Sequence, residues 1–189
     1  MLDVDNFNVA VLGTGPVGRA VAGRLAELGH QVTIGTRAPA DTAGREDYAA
    51  WAAEHPAVRL ATFAEARRRH DRAVVIEQQA DMFDPTYTPT ANDIQAFVPW
   101  IQAIIDESSS FPGQVYLFNG DSHVYNSDRP LAAGSSWLTT YAAYGVHGSA
   151  DNLTRVTVDG SGNNVDWLKV TVHDHGPQLL TWQRVPYTS

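Results

Sequence analysis

Residues 8–37, NVAVLGTGPVGRAVAGRLAELGHQVTIGTR, carry the strongest local signal in the chain. Val9 to Leu12 form a short apolar run, as expected for a parallel strand that is buried on both faces. A glycine-rich turn follows, and apolar residues then recur at helical spacing until Gly29. Residues 31–35, QVTIG, are typical of a second strand. The stretch therefore predicts a strand, a glycine turn, a helix and a strand in that order.

The spacing of the glycines has a chemical reason. Gly13 permits the tight turn out of the strand, Gly15 lets the backbone approach a pyrophosphate, and Gly18 lets the helix pack closely on the sheet. The N-terminus of the helix would present unpaired N–H groups and a favourable dipole to the phosphates. The alternative is a turn that serves close packing alone. We predict a dinucleotide site at this turn.

The end of the second strand favours NADP over NAD. An NAD site usually places Asp or Glu about twenty residues beyond the turn, where the carboxylate accepts hydrogen bonds from the ribose. Here Thr36 and Arg37 follow the strand, and no carboxylate occurs before Asp41. A guanidinium and a hydroxyl suit a 2′-phosphate. The alternative is that Arg37 is an ordinary exposed cation.

Composition limits the classes of function. With 189 residues, 43% of them hydrophobic, the chain can form one domain with a real core or two very small ones. No apolar run is long enough to cross a bilayer, and a formal net charge of -8 argues against a nucleic-acid partner. The absence of cysteine excludes disulfides and a cysteine nucleophile. The acidic N-terminus lacks the positive charge of a secretion signal, so we expect a cytoplasmic protein.

Residues 8 to about 66, which include VLGTGPVGRAVAGRLAELGHQVTIGTRAP and WAAEHPAVRLATFAEA, resemble the N-terminal part of NADPH-dependent reductases of the deazaflavin coenzyme F-420. In that family the glycine loop and a Thr-Arg pair bind NADPH, and hydride passes from NADPH to the deazaflavin. The resemblance implies NADP as cofactor and a deazaflavin as co-substrate. It assigns no catalytic residue, because the family's later segments have no recognisable counterpart here. By position it nominates as cofactor-binding residues Gly13, Thr14, Gly15, Pro16, Val17, Gly18, Thr36 and Arg37.

The pattern changes after Arg72. Thr90 and Asp93 predict a capping box at the start of a helix, and Pro99 should kink or split that helix. Further on, the alternating runs LTRVTV, VDWLKVTV and QLLTWQRV predict an antiparallel β-meander, its first two strands joined by DGSGNN. The other elements expected in this part are a strand at 73–77, a helix at 93–107 and a strand at 115–118.

Asp121 and His123 form a second candidate site. They lie two residues apart just beyond a predicted strand and are suitable ligands for a divalent metal, with Asn119 close enough to assist. Two or three such ligands do not hold a metal firmly. The alternative is a turn in which these polar residues satisfy their own backbone.

Residues from about 73 to the end resemble the C-terminal portion of bacterial calcineurin-like metallophosphoesterases, through QADMFDP, VYLFNGDSHVYNSDRPLA and DNLTRVTVDGSGNNVDWLKVTV. In that family the GDSH segment, Gly120 to His123, takes the place of the final metal-binding motif. Asp121 stands where the wider superfamily usually has a histidine. The other metal motifs do not occur upstream, so we expect no competent phosphoesterase. The two resemblances together predict that the chain is a chimera of a reductase and a phosphoesterase.

Taken together, these patterns predict an α/β fold, a Rossmann-like three-layer sandwich with a mainly parallel sheet of order 3-2-1-4-5 and a C-terminal meander. Residues 1–72 would be half of a dinucleotide-binding fold and residues 73–189 a phosphoesterase-like segment, completing one composite domain. The expected function is binding of a small-molecule dinucleotide, NADP(H), by a vestigial NADPH-dependent oxidoreductase. The alternatives are a phosphoesterase fragment and an inactive gene fusion.

Overall fold

The structure is a computed structural model that describes residues 8–68, 73–160, 166–173 and 178–187. The chain divides into two compact units, Met1–Ile76 and Glu77–Ser189. The strands follow the order β3-β2-β1-β4-β5-β7-β6, numbered along the chain, and β8 and β9 form a second sheet. The predicted order 3-2-1-4-5 and the mainly parallel α/β fold class are thereby confirmed.

Strands and helices alternate in the first unit. Strand β1 pairs in parallel with β2 and with β4, and β2 pairs in parallel with β3. The strands predicted at Val9 to Leu12, at 31–35 and at 73–77 are found within one residue of their expected bounds. The elements are β1 (Asn8–Leu12), α1 (Pro16–Glu27), β2 (Gln31–Thr36), α2 (Pro39–Ala43), α3 (Glu46–Glu54), β3 (Arg59–Thr62), α4 (Phe63–Arg68) and β4 (Ala73–Glu77).

The core of the first unit forms around β2, because this strand is buried on both faces. Val32 and Ile34 are buried, and they pack with Ala22 of α1 and Tyr48 of α3. The packed face of α1 is formed by Ala22, Leu25 and Ala26, whereas Val21 and Leu28, which share the helical spacing of Leu25, are exposed. This packing fixes α1 against the strands and sets the direction in which its N-terminus points.

The second unit begins with a long loop and then a helix. Strand β5 is parallel to β7, and β6 is antiparallel to β7. Strands β8 and β9 pair in antiparallel register from Asp166 opposite Pro186 to Val172 opposite Leu180. The elements are α5 (Ala91–Ser109), β5 (Gln114–Asn119), β6 (Asn126–Asp128), α6 (Ser136–Ala142), β7 (Leu153–Thr157), β8 (Asp166–Val172) and β9 (Leu180–Pro186).

The predicted three-stranded meander is wrong in its first strand. Instead of pairing with β8, β7 lies between β5 and β6 in the larger sheet. The alternation of LTRVTV suggested one solvated face, but Leu153, Arg155, Val156 and Thr157 are all buried. A strand buried on both faces belongs inside a mainly parallel sheet. Only the β8–β9 hairpin matches the expected antiparallel arrangement.

Helix α5 is continuous over 19 residues with Pro99 inside it, so the helix is not split. Pro99 is exposed, and so is Gln95, whose carbonyl loses its usual N–H partner. Water can satisfy that carbonyl at the surface. At the other end the predicted capping box is confirmed: the Thr90 hydroxyl accepts from the Asp93 N–H at 3.3 Å, and the Asp93 carboxylate accepts from the Thr90 N–H at 2.8 Å.

None of the helices in the described ranges combines the length and the apolar character that crossing a lipid bilayer requires.

Replacing Thr90 with alanine should destabilise the protein by about 1 kcal/mol, because the first turn of α5 loses its side-chain acceptor. Urea unfolding followed by tryptophan fluorescence measures the change. Thr88→Ala is the matched control, since Thr88 is exposed and lies just outside the box. Equal unfolding midpoints for the two variants would show that the capping box contributes nothing.

Candidate functional site

The turn between β1 and α1 is shaped by two glycines. Gly13 has φ of +131°, a backbone conformation that side chains disfavour, and its N–H donates to the Gly35 carbonyl at 3.0 Å. A Cβ added at Gly18 would lie 2.3 Å from the Gly13 carbonyl oxygen, closer than real Cβ atoms come. The first turn of α1 therefore packs directly on the loop, and only glycine fits at position 18.

Gly15 leaves the N-terminus of α1 open. It is the N-cap residue, with φ of -70° and ψ of 177°, and no side chain forms a capping hydrogen bond there. A Cβ added at Gly15 or at Gly13 would meet no atom within 4 Å. The first turn of α1 also contains no acidic residue. The unpaired N–H groups and the positive end of the helix dipole thus face open space, which suits an anion.

Arg37 lies at the same edge of the sheet as this turn. In the β1–β2 pairing Leu12 is opposite Gly35, so the residues after each strand leave the sheet side by side. Arg37 is exposed and makes no hydrogen bond or ion pair within the described ranges. Thr36 is buried, and its hydroxyl is 2.9 Å from the hydroxyl of Thr42. Of the predicted Thr-Arg pair, only the Arg37 guanidinium is therefore left to bind a ligand.

Sequence reasoning missed the residues that support this site. Arg19 on α1 donates to the Asp47 carbonyl at 2.8 Å and approaches its carboxylate at 3.2 Å, which ties α1 to α3. The hydrogen bond from Arg45 holds the pKa of the Asp47 carboxyl below its usual value, and the charge of Arg19 acts in the same direction. Gly35 matters for packing, because an added Cβ would lie 2.9 Å from both Leu12 and Phe63.

The predicted metal ligands Asp121 and His123 lie in a turn on the second unit. Both are exposed, His123 has φ of +58°, and its N–H donates to the Gly120 carbonyl at 3.0 Å. The His123 ring lies against Gly160, where a Cβ would come within 2.1 Å. No group of three or more acidic or histidine residues in the described part of the chain could hold a metal. A metal at this pair stays a prediction.

Asn119, the third suggested ligand, is committed elsewhere. Its Nδ2 donates to Asp81 at 3.0 Å, and its Oδ1 accepts from the Thr157 hydroxyl at 2.7 Å. Both groups of the amide are thus used inside the second unit, and Asn119 is buried. Assistance to a metal by Asn119 stays a prediction, and in this structure each of its amide groups has a partner inside the second unit.

Arg155 is the centre of a buried polar network that the sequence did not reveal. The residue is fully buried. Its guanidinium donates to Asp81 at 2.9 Å, to the Phe83 carbonyl at 2.7 Å and to both carboxylate oxygens of Asp128 at 2.9 and 2.8 Å. It also lies 5.3 Å from the centre of the Phe83 ring. Such a buried charge is tolerable only because it is paired and hydrogen-bonded.

The blocked position at Gly18 and the open position at Gly15 allow a paired test of the turn. Gly18→Ala should destabilise the protein by about 1–3 kcal/mol, because its Cβ overlaps the Gly13 carbonyl. Gly15→Ala should leave stability nearly unchanged, since its backbone angles suit alanine and the space is empty. Chemical denaturation of both variants measures the difference. Equal losses, or a larger loss for Gly15→Ala, would contradict the close approach at position 18.

Comparison with known proteins matches part of this chain. Residues 8–84 match the family described as NADP oxidoreductase, coenzyme F420-dependent. The crystal structure of a candidate F420-dependent NADP-reductase from Arthrobacter sp. FB24 is 32% identical over 68% of this chain and 48% of that chain, with a TM-score of 0.40. The chain thus spans about half the length of that reductase. Among curated proteins none matches.

The family match extends beyond residue 66, where the resemblance was expected to end, through β4 and into the following loop. It contains all of the nominated cofactor-binding positions. Residues 8–84 are therefore similar to NADP oxidoreductases in sequence, and their strand order is Rossmann-like. The resemblance of the later residues to phosphoesterases has no support from these matches and stays a prediction.

Proposed function

We propose that the first unit binds NADP(H) at the turn between β1 and α1. The observation that carries this proposal is the open N-terminus of α1, where no side chain caps the helix and no carboxylate lies in its first turn. Backbone N–H groups there are without partners inside the helix. A pyrophosphate supplies both the acceptors and the negative charge that this position favours. The space above Gly13 and Gly15 lets phosphate oxygens approach the backbone.

Arg37 selects the phosphorylated coenzyme in this proposal. Its guanidinium has no competing partner within the described ranges and stands at the end of β2. A guanidinium can bind a phosphate with two parallel hydrogen bonds. The chain offers no carboxylate at this position for the ribose of NAD, since the first acid after β2 is Asp41, which is exposed on α2. NADP(H) is therefore preferred.

The proposed reaction class is hydride transfer between NADP(H) and a deazaflavin. Its support is the match of residues 8–84 to F420-dependent NADP oxidoreductases. Bound NADPH supplies the hydride. The residues of this chain bind the phosphates, orient the coenzyme and choose between NADP and NAD. Binding and turnover are separate proposals, because the chain spans only about half of the similar reductase.

The domain interpretation is also a proposal. Residues 1–72 would supply the dinucleotide half, and residues 73–189 would replace the reductase's substrate side with a phosphoesterase-like segment. Asp121 and His123 are the residues through which any remaining metal chemistry would act. That alternative is tested by assaying phosphatase activity on a chromogenic ester with added Mn²⁺. Activity that is lost in His123→Ala would favour the phosphoesterase alternative over NADP(H) binding.

Titration of the purified full chain with NADPH and with NADH tests the binding proposal. Arg37→Ala should weaken NADPH binding by about tenfold or more and leave NADH binding unchanged, because only NADPH carries the 2′-phosphate. Arg59→Ala is the matched control: Arg59 is also exposed, but it begins β3 and so lies at the opposite edge of the parallel sheet. Gly15→Ala should lose both coenzymes while remaining folded.

Absence of saturable NADPH binding would contradict the proposal directly. Equal effects of Arg37→Ala and Arg59→Ala would remove the role given to Arg37. Unchanged binding in Gly15→Ala would show that the phosphates do not lie over the turn.

A further inference from the structure

The second unit contains a small cavity that the proposed function does not use. Its walls come from the loop after β4, from the first turns of α5 and from α6. The space inside it, which is partly open to solvent, holds about one water-sized group. A dinucleotide is far too large for it. Whatever binds here must therefore place a small polar head in the cavity and leave the rest outside.

Asp81 lines this cavity with a carboxylate oxygen that lacks a hydrogen-bond donor among the described residues. Its side chain is fully buried, and its Oδ1 already accepts from the Phe83 N–H, from Asn119 and from Arg155 at 2.9, 3.0 and 2.9 Å. Its Oδ2 has no hydrogen-bond partner in the described part of the chain. Because Oδ1 is saturated, Oδ2 is the oxygen that remains for a ligand. A buried carboxylate oxygen gains strongly from a donor.

The charge around the cavity favours a cation. Asp84 and Asp93 line it together with Asp81, and Arg155, the buried cation that pairs with Asp81, is shared with Asp128. The same carboxylates affect the hydroxyl of Tyr87, which also lines the cavity. Desolvation raises the pKa of the Tyr87 hydroxyl above its usual value, and the charges of Asp93, Asp84 and Asp81 act in the same direction. A negatively charged ligand is thus disfavoured here.

The walls favour an organic cation. Phe97, Trp137 and Tyr141 present aromatic rings to the cavity, and Met82 and Ile94 add apolar surface. Tyr141 donates its hydroxyl hydrogen to the Met82 carbonyl at 2.8 Å, so its oxygen remains only as an acceptor. An ammonium group offers N–H donors to carboxylate and hydroxyl oxygens and is attracted to ring faces. An attached carbon chain would lie on the apolar wall.

We propose that this cavity is a binding site for the protonated amino group of a primary amine, with Asp81 Oδ2 as its central acceptor. The ammonium head matches the cavity in size, in charge and in donor capacity. A quaternary ammonium ion matches in charge alone, because it has no N–H group and needs more room. The proposal concerns the second unit and does not depend on NADP(H) binding in the first.

Isothermal titration calorimetry of the full chain tests this site, with ethylammonium chloride as the probe at constant ionic strength. We expect saturable binding of ethylammonium and none of tetramethylammonium or Na⁺. Asp81→Asn should abolish binding. Asp84→Asn should weaken it severalfold and keeps the fold, because an amide oxygen can still accept from Thr86. Asp106→Asn is the matched control, because Asp106 is an exposed acid of α5 that lies outside the cavity.

Three results would overturn the proposal. The first is a lack of saturable heat with ethylammonium. The second is binding of tetramethylammonium or Na⁺ as strong as that of ethylammonium. The third is equal affinity in Asp84→Asn and Asp106→Asn, which stays informative if Asp81→Asn fails to fold beside Arg155.

Discussion

The first unit depends on one contact: the Gly13 carbonyl oxygen lies 2.3 Å from where a Cβ at position 18 would stand. Because glycine occupies that position, α1 can begin directly against the loop after β1. The positive φ of Gly13 turns the chain sharply enough to make this approach possible. Together they hold the unpaired N–H groups of α1 beside the end of β2. The placement of a phosphate and the role of Arg37 both follow from that geometry.

The second unit depends on a different kind of interaction. Arg155 is a fully buried cation that joins the loop at Asp81 and Phe83 to β6 through Asp128. The carboxylate of Asp81 alone would be costly at this depth, and so would the guanidinium. All the donors that Asp81 receives, including Arg155, bind the same carboxylate oxygen, Oδ1. The other oxygen, Oδ2, has no partner within the described ranges and is left for a ligand in the cavity. Structural support and ligand capacity thus come from the same ion pair.

The sequence was most informative where the signals are local. The bounds of β1 and β2, the glycine turn and the capping box at Thr90 all follow from residues a few positions apart. It was least informative about Arg155, because alternation with apolar neighbours indicates a solvated face, while its carboxylate partners lie 74 and 27 residues away in sequence. The partner of Thr36 was missed for the same reason: nothing in the local pattern marks Thr42 as buried.

Hydrogen exchange of the backbone amides with and without saturating NADPH tests the central claim most directly. If the pyrophosphate binds at the N-terminus of α1, the amides of Gly15, Val17 and Gly18 should exchange more slowly in the presence of NADPH, since phosphate oxygens then accept their hydrogen bonds. Residues 81–94 in the second unit should exchange at the same rates in both conditions. Unchanged rates at these three amides, or protection that is confined to other segments, would contradict the account.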